Sequence, residues 1–239
     1  MSQVLPRRSF LSRLGAGAAA FGAAFTVRDA AAQSGTAAGA TGDVLARRPD
    51  VPRHAQDDWM DHTAGKHRLF FDATTPEGFG HAIFWANNFL NASRDSYGLT
   101  DADAAVVIGI RHGAAAFALT DAIWAKYGEP LSTRSDGFLD PKSKIAPVRN
   151  VYLATDYGAA LTNTGTTLTA VVGRGVHLAV CGLATRANAG AIARSTGAKI
   201  DDVLKELTEN MVTNSVIVPA GIVAVNRAQE RGYTFTYAN

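Results

Sequence analysis

The sequence is poor in cysteine: its 239 residues contain one, Cys181. A single thiol excludes a disulfide within the chain, and it excludes a zinc site built from paired cysteines. The stretch that holds it reads VHLAVCGLATRANAGA. A lone cysteine of this kind either packs as a small, inert apolar side chain or is used chemically as a thiol. Its position in the fold therefore has to decide between the two.

The sequence also lacks the motifs that mark several enzyme classes. It contains no HExxH pair, no P-loop, no GxSxG turn around a serine, and no GxGxxG between a strand and a helix. Its six histidines show no spacing typical of metal ligands. We therefore expect neither a bound metal nor a cofactor.

The sequence has no excess of positive charge outside the first 32 residues. That segment carries four arginines and one aspartate, so removing it changes the formal net charge from +2 to −1. A protein without a basic excess is not expected to bind nucleic acid.

Residues 1–32 have the three regions of a twin-arginine leader in the right order. RRSFL at residues 7–11 is followed by an apolar run rich in alanine and glycine over residues 14–26, and then by three alanines at 30–32. The run is too short and too rich in glycine for a comfortable membrane span. We predict a cleaved signal peptide, export to the periplasm and no stable membrane span after cleavage. An uncleaved anchor is the alternative.

Strand and helix patterns alternate from residue 67 to the last residue. Residues 33–66 lack sustained periodicity and are predicted to be a flexible linker, with one short helical turn near residues 57–62. Apolar runs predict strands over residues 67–72, 104–110, 148–155, 176–181 and 216–218, and a short closing strand over 233–237. Helical patterns fall over residues 76–97, 114–127, 165–173, 185–195, 201–211 and 222–231.

This alternation predicts an α/β fold over residues 67–239. Residues 104–110 are apolar throughout, which is typical of a parallel strand covered on both faces. We expect a three-layer α/β/α, Rossmann-like domain with a mainly parallel five-stranded sheet. Ligands of such sheets bind beyond the carboxyl ends of the strands. The predicted strands bring to that edge Asp72, Thr74, His112, Asp156, Tyr157, Cys181 and Pro219.

Cys181 is the strongest candidate at that edge. It ends a strand just before Gly182 and a helix, where the helix dipole favours a thiolate. Arg186 follows in the first turns of that helix and is a candidate second support for the thiolate, while His112 is a possible hydrogen-bond donor or proton shuttle. Further candidate binding positions are Asp72, Asp156 and Pro219.

Several segments of the domain resemble the DsrE/DsrF-like family, and more narrowly its exported branch with a twin-arginine leader. They are RHG at 111–113, DAIWAKYG at 121–128, DPK at 140–142, the strand that ends in Cys181, the helix over 201–211, VIVPAG at 216–221 and RAQERGY at 227–233. The similarity runs from about residue 67 to residue 238. It implies a compact α/β domain that assembles into dimers, trimers or hexamers.

The resemblance also implies sulfur-relay chemistry. In the best known members a cysteine at the end of a strand accepts sulfane sulfur as a persulfide and passes it to a partner, and the matching position here is Cys181. The Arg-Arg-Gly that often follows that cysteine is replaced by Arg186-Ala187-Asn188.

Three hypotheses follow. The first is an exported persulfide carrier, at most sulfurtransferase-like, that forms a homo-oligomer and exchanges sulfur with a donor or acceptor protein. The second is a non-catalytic oligomer that binds a ligand or a partner and in which Cys181 only packs. The third is a hydrolase or oxidoreductase acting through Asp72, His112 and Asp156, for which no motif is present.

Overall fold

The computed structural model describes residues 51–239, so the predicted leader and the first part of the predicted linker lie outside the described residues. Five strands form a single sheet in the order β4-β3-β2-β1-β5, and every neighbouring pair is parallel. They are β1 (His67–Ala73), β2 (Ala104–Ile110), β3 (His177–Cys181), β4 (Ser215–Val218) and β5 (Thr234–Ala238). This architecture confirms the predicted α/β class.

Helices connect the strands. They are α1 (Trp59–His62), α2 (Pro76–Tyr97), α3 (Asp121–Arg134), α4 (Leu168–Val172), α5 (Gly182–Thr196), α6 (Ile200–Glu209) and α7 (Gly221–Glu230). Short 3₁₀ turns occur at Ala55–Asp57, Asp101–Asp103, His112–Ala118 and Gly158–Ala160. Between residues 51 and 239, none of the helices combines the length and the apolar character needed to cross a membrane.

The strand order explains the three layers. From β1 to β4 each crossover steps in the same direction, and right-handed crossovers then place their helices on one face of the sheet. The chain returns past β1 to form β5, which reverses the direction and places α7 on the opposite face. Phe79, Trp124 and Ile192 are fully buried or nearly so in the core of the first face.

The core of the second face joins α7 to the residues before β1. Ala228 of α7 and Met60 of α1 are fully buried there, and Tyr233 donates a hydrogen bond of 2.8 Å from its hydroxyl to the carbonyl oxygen of Met60. The predicted helical turn near residues 57–62 is therefore present as α1. The packed body begins ahead of residue 67.

Residues 148–155 are not the strand that their apolar pattern predicted. They form turns, with Val151 and Tyr152 buried in the first core. Hydrogen bonds of Asn150 connect this segment to the residues before and at the start of α3, in place of a neighbouring strand. The amide nitrogen of Asn150 donates to Asp121 Oδ1 at 2.8 Å, and the Asn150 side-chain amide donates to the carbonyl oxygens of Phe117 and Leu119. An apolar run thus reports burial here but not strand geometry.

The helix predicted over residues 114–127 was also placed wrongly. The segment after β2 is a 3₁₀ turn over His112–Ala118, and α3 begins at Asp121 and continues to Arg134. Tyr127 has non-helical torsion angles of φ −131° and ψ 24°, which marks a kink. Pro130 therefore falls in the first turn after the kink, where its missing N–H is tolerated.

Candidate functional site

A cavity of about 260 Å³ opens at the carboxyl edge of the sheet, beyond β2, β3 and β4. β3 lies between the other two strands, so its last residue, Cys181, is central. The polar side chains that line the cavity are Arg111, His112, Arg134 and Cys181; the remaining lining residues are Leu183, Ala184, Ala187, Ala220, Gly221 and Ile222. The structure therefore brings Cys181 and His112 together, as the sequence predicted for the sheet edge.

Cys181 is the N-cap residue of α5, and no side chain caps this helix end. The residue is 7% exposed and packs against Ala115 and Ala184. Its carbonyl oxygen accepts a hydrogen bond of 3.0 Å from Thr185 Oγ1, within the first turn. The thiol thus lines the cavity at the positive end of a helix, while most of its surface is covered.

A second helix begins at the same cavity. α7 starts at Gly221, its N-cap residue is Ala220, and no side chain caps it either. The first amide groups of a helix have no partner within the helix and carry a partial positive charge. Because the first turns of α5 and α7 both contribute lining residues, two uncapped helix ends polarise the cavity positively.

Arg111 follows β2 directly and is held by a buried carboxylate. Its Nε donates to Asp72 Oδ1 at 2.9 Å, and its Nη2 donates to Asp72 Oδ2 at 2.9 Å. Asp72 is 2% exposed and lies on β1, next to β2 in the sheet. The hydrogen bonds with Asp72 raise the pKa of Arg111, with smaller contributions from the Asp72 charge and from nearby Tyr237 and Cys181. Asp72 therefore fixes the charged guanidinium beside the thiol.

The close packing of α7 on Arg111 requires a glycine. A Cβ at Gly221 would lie 2.8 Å from Arg111 Cβ and 2.9 Å from Arg111 Cδ. Any side chain at position 221 would displace the arginine. Gly221 thus sets the position of Arg111 from one side, and Asp72 sets it from the other.

His112 lies exposed at the rim of the cavity in an unusual backbone conformation. Its φ is 52°, in the left-handed region that side chains other than glycine adopt infrequently. Its Nε2 lies 2.6 Å from Arg111 Nη1. A guanidinium can only donate, so His112 Nε2 accepts this bond with its lone pair and the ring proton is on Nδ1. His112 is thereby held against Arg111 on the side of the cavity.

Arg134 was not identified from the sequence, although it lines the cavity. It is the last residue of α3 and is partly exposed. Its Nε is buried without a hydrogen-bond partner among the residues that the structure describes. No pattern around Arg134 indicated a site. Arg111 was part of the segment RHG, and its position directly after an apolar strand was the signal that could have identified it.

Asp72 pairs with Arg111 but does not line the cavity itself, and three further predicted site residues do not line it either. Arg186 is exposed on α5, and its Nη1 lies 3.3 Å from Asp201 Oδ1. It is therefore paired with the N-terminal end of α6. Pro219 is exposed between β4 and α7, and its carbonyl oxygen would lie 3.5 Å from a Cβ at Gly182.

Asp156 is the third of these residues. It follows the segment that is not a strand, so it does not reach the edge of the sheet. Lys142 Nζ and Arg149 Nη2 donate to it at 2.7 and 2.8 Å. These hydrogen bonds lower the pKa of Asp156 to about 2. Its carboxylate therefore belongs to an exposed ion-pair cluster in the connection after α3.

The cavity combines a thiol, two guanidinium groups and two helix N-termini, and its lining contains no carboxylate. Such a site attracts a small anion. Within residues 51–239, no group of three or more histidine, cysteine, aspartate or glutamate side chains is placed to hold a metal ion. Comparisons of the chain with protein-family models, curated proteins and solved structures gave no significant match.

Proposed function

We propose that this protein is a sulfur carrier of the DsrE/DsrF-like kind, in which Cys181 accepts a sulfane sulfur as a persulfide and passes it to a second thiol. The observation that carries the proposal is the position of Cys181 at the N-terminus of α5, lining a cavity whose other polar side chains are Arg111, His112 and Arg134. The thiolate is the form of cysteine that attacks sulfur, and positive charge nearby favours it.

The transfer needs two displacement steps and no external oxidant. In the first, the Cys181 thiolate forms a bond to the sulfane sulfur of a donor, the donor's own bond to that sulfur breaks, and the electron pair leaves with the donor. In the second, a thiolate of the acceptor attacks the outer sulfur, and the electron pair returns to Cys181. In both steps the reacting sulfur of Cys181 carries negative charge and lies in the cavity lined by Arg111, Arg134 and two helix N-termini.

Intact-mass spectrometry tests the proposal. The purified chain is incubated with inorganic polysulfide, and an increase by the mass of one sulfur atom is expected. Cys181→Ser removes the chain's one thiol, so it is expected to show no adduct. An adduct that persists in the serine variant would contradict the site, and the absence of an adduct on the native chain would contradict the function.

One observation favours the second hypothesis, a ligand-binding or partner-binding protein in which Cys181 only packs. The residue is 7% exposed and sits between Ala115 and Ala184, which is the setting of a structural cysteine. Reaction with a small neutral thiol reagent separates the two hypotheses. The carrier reacts in the folded state through the cavity, whereas the structural cysteine reacts only after unfolding.

Export and assembly are parts of the same proposal. The order of the three leader regions in residues 1–32 supports export to the periplasm. Replacing Arg7 and Arg8 by lysine is expected to keep the chain in the cytoplasm, as measured by cell fractionation. Continued export of that variant would contradict the twin-arginine route.

Exposed apolar side chains at the cavity mouth support assembly into a homo-oligomer or docking of a donor or acceptor protein. Leu183 and Ile222 are 66% and 59% exposed, and both line the cavity. Large exposed apolar groups that cluster mark interaction surfaces. Light scattering of the native chain and of Leu183→Lys measures the assembly. A native chain that is monomeric at all concentrations would contradict the oligomer.

A further inference from the structure

The charges around the cavity are not equivalent. Arg111 gives two hydrogen bonds to the buried carboxylate of Asp72, so its positive charge is largely compensated. Arg134 forms no ion pair within the part of the chain that the structure describes, and its Nε has no hydrogen-bond partner there. The uncompensated charge of the cavity is therefore that of Arg134.

No carboxylate of the described residues lies within ion-pair distance of the Arg134 guanidinium. The nearest acidic residue in sequence is Asp136, whose carboxylate lies against the turn at Gly113, where an added Cβ would be 2.2 Å from its Oδ2. The lining itself contains no carboxylate, and Ala184, Ala187 and Ala220 form a small apolar wall. A guanidinium with free donors, in a cavity without acidic lining, binds a planar or tetrahedral oxyanion.

The helix N-termini reinforce this preference. α5 has 15 residues and α7 has 10, and neither has a side-chain cap at the cavity. Uncapped backbone N–H groups at helix N-termini form anion-binding sites. Two such ends and Arg134 thus favour an anion next to the sulfur of Cys181. The volume of about 260 Å³ is several times the share of about 30 Å³ that a water molecule occupies in the liquid.

We infer that the sulfur donor is a small molecule whose leaving group is an oxyanion, of the thiosulfate type, and that Arg134 holds its sulfonate group. This inference rests on the proposed function and specifies its substrate class. The Cys181 thiolate attacks the outer sulfur of thiosulfate, the bond between the two sulfur atoms breaks, and its electron pair leaves with sulfite. The products are the persulfide of Cys181 and sulfite, so atoms, electrons and charge balance.

The first test measures anion selectivity without sulfur chemistry. Cys181 is alkylated with iodoacetate and, separately, with iodoacetamide, which differ in charge and react at the same thiol. The ratio of the two rates is expected to fall about 10- to 100-fold in Arg134→Gln, the usual effect of losing a charge-assisted hydrogen bond. Arg134→Lys keeps the charge and is expected to restore most of the ratio, which separates charge from packing.

Arg194→Gln is the matched control. Arg194 is an exposed arginine on α5, about 18 Å along the helix from Gly182, the first residue of α5, at 1.5 Å per residue. The same change in net charge at this site is expected to leave the ratio unchanged. An equal fall in Arg194→Gln and Arg134→Gln, or no fall in Arg134→Gln, overturns the inference.

The second test uses thiosulfate itself. The native chain is expected to gain one sulfur atom and to release one sulfite for each persulfide formed, and Arg134→Gln is expected to do so about 10- to 100-fold more slowly. A native chain that takes sulfur from polysulfide but not from thiosulfate overturns this inference and leaves the proposed function standing. A chain that takes sulfur from neither donor overturns both.

Discussion

Replacing Gly221 by alanine is expected to disturb the Arg111–Asp72 pair without changing any charge. The added Cβ would lie 2.8 Å from Arg111 Cβ, whereas ordinary contact begins at 3.4 Å. One of the two must therefore move by about 0.6 Å, because the packed interior offers little free volume. The two 2.9 Å hydrogen bonds to Asp72 are then lengthened or misaligned.

The expected cost is about 1–3 kcal/mol of unfolding free energy, which is typical of overpacking. In a domain of this size that corresponds to a melting temperature lowered by roughly 2–4 °C for each kcal/mol. Thermal unfolding followed by circular dichroism measures it. Displacement of Arg111 is also expected to change the iodoacetamide rate of Cys181, because Arg111 lines the same cavity.

Gly190→Ala provides the matched control. Gly190 lies within α5, and a Cβ there would lie 3.4 Å from Ile200 Cδ1, an ordinary contact. Alanine is the better helix former, so this change is expected to be neutral or stabilising by up to about 1 kcal/mol. A Gly221→Ala variant that is as stable as the native chain, and whose thiol reacts at the same rate, would refute the conclusion that Gly221 sets the position of Arg111.

Three further predictions concern stability. Asp72→Asn leaves Arg111 without its charged partner and is expected to cost about 3 kcal/mol in chemical denaturation, as for other broken buried pairs; a loss below about 1 kcal/mol would contradict the assignment. Burial raises the pKa of Asp140, but hydrogen bonds from a tyrosine hydroxyl and two backbone amides outweigh it, so the pKa is lowered. The ionised Asp140 carboxylate therefore stabilises the fold fully above the unfolded pKa of about 3.9, and this stabilisation is lost as the pH falls through the lower folded pKa. Asp140→Asn is expected to flatten the acid side of a plot of unfolding free energy against pH. Tyr152→Phe removes the buried 2.7 Å hydrogen bond to the carbonyl oxygen of Pro76. It is expected to lower the unfolding free energy by about 1–3 kcal/mol in chemical denaturation; an unchanged denaturation midpoint would contradict this expectation.

The sequence predicted the regular elements where local chemistry and burial agree. β2 is apolar throughout and is a central parallel strand buried on both faces. α2 covers the predicted residues 76–97: Pro76 occupies the first turn, Thr75 accepts a hydrogen bond from the Gly78 amide, and Gly98 ends the helix at φ 67°. In these segments, local preference and tertiary environment favour the same conformation.

The errors arose where long-range contacts decide the conformation. Val151 and Tyr152 are as buried as strand residues, but Asn150 and Asp121 hold that backbone in turns. The apolar pattern indicates that residues are buried, but it is the same for a buried strand and for buried turns. The strand placed there was wrong, and Asp156 was consequently assigned to the sheet edge.

The site was partly predictable for the same reason. Cys181 ends β3 and His112 follows β2, and these strands proved to be adjacent, so the edge of the sheet brings the two residues together. Arg186 was chosen for its closeness in sequence, yet on the helix it points toward α6 and Asp201. Arg134 reaches the cavity from the far end of α3, beyond a kink at Tyr127. No local sequence pattern indicates that the last residue of α3 lies at the cavity.

The cavity draws its walls from three separate crossovers, and this has a consequence for synthesis on the ribosome. Arg111 follows β2 and Cys181 ends β3, but Gly221 and Ile222 belong to α7, near the end of the chain. Domains generally fold as units. A chain that stops at β4 lacks α7 and β5, and with them part of the cavity wall and an edge strand of the sheet. The cavity is therefore complete only when the last helix and strand have been made.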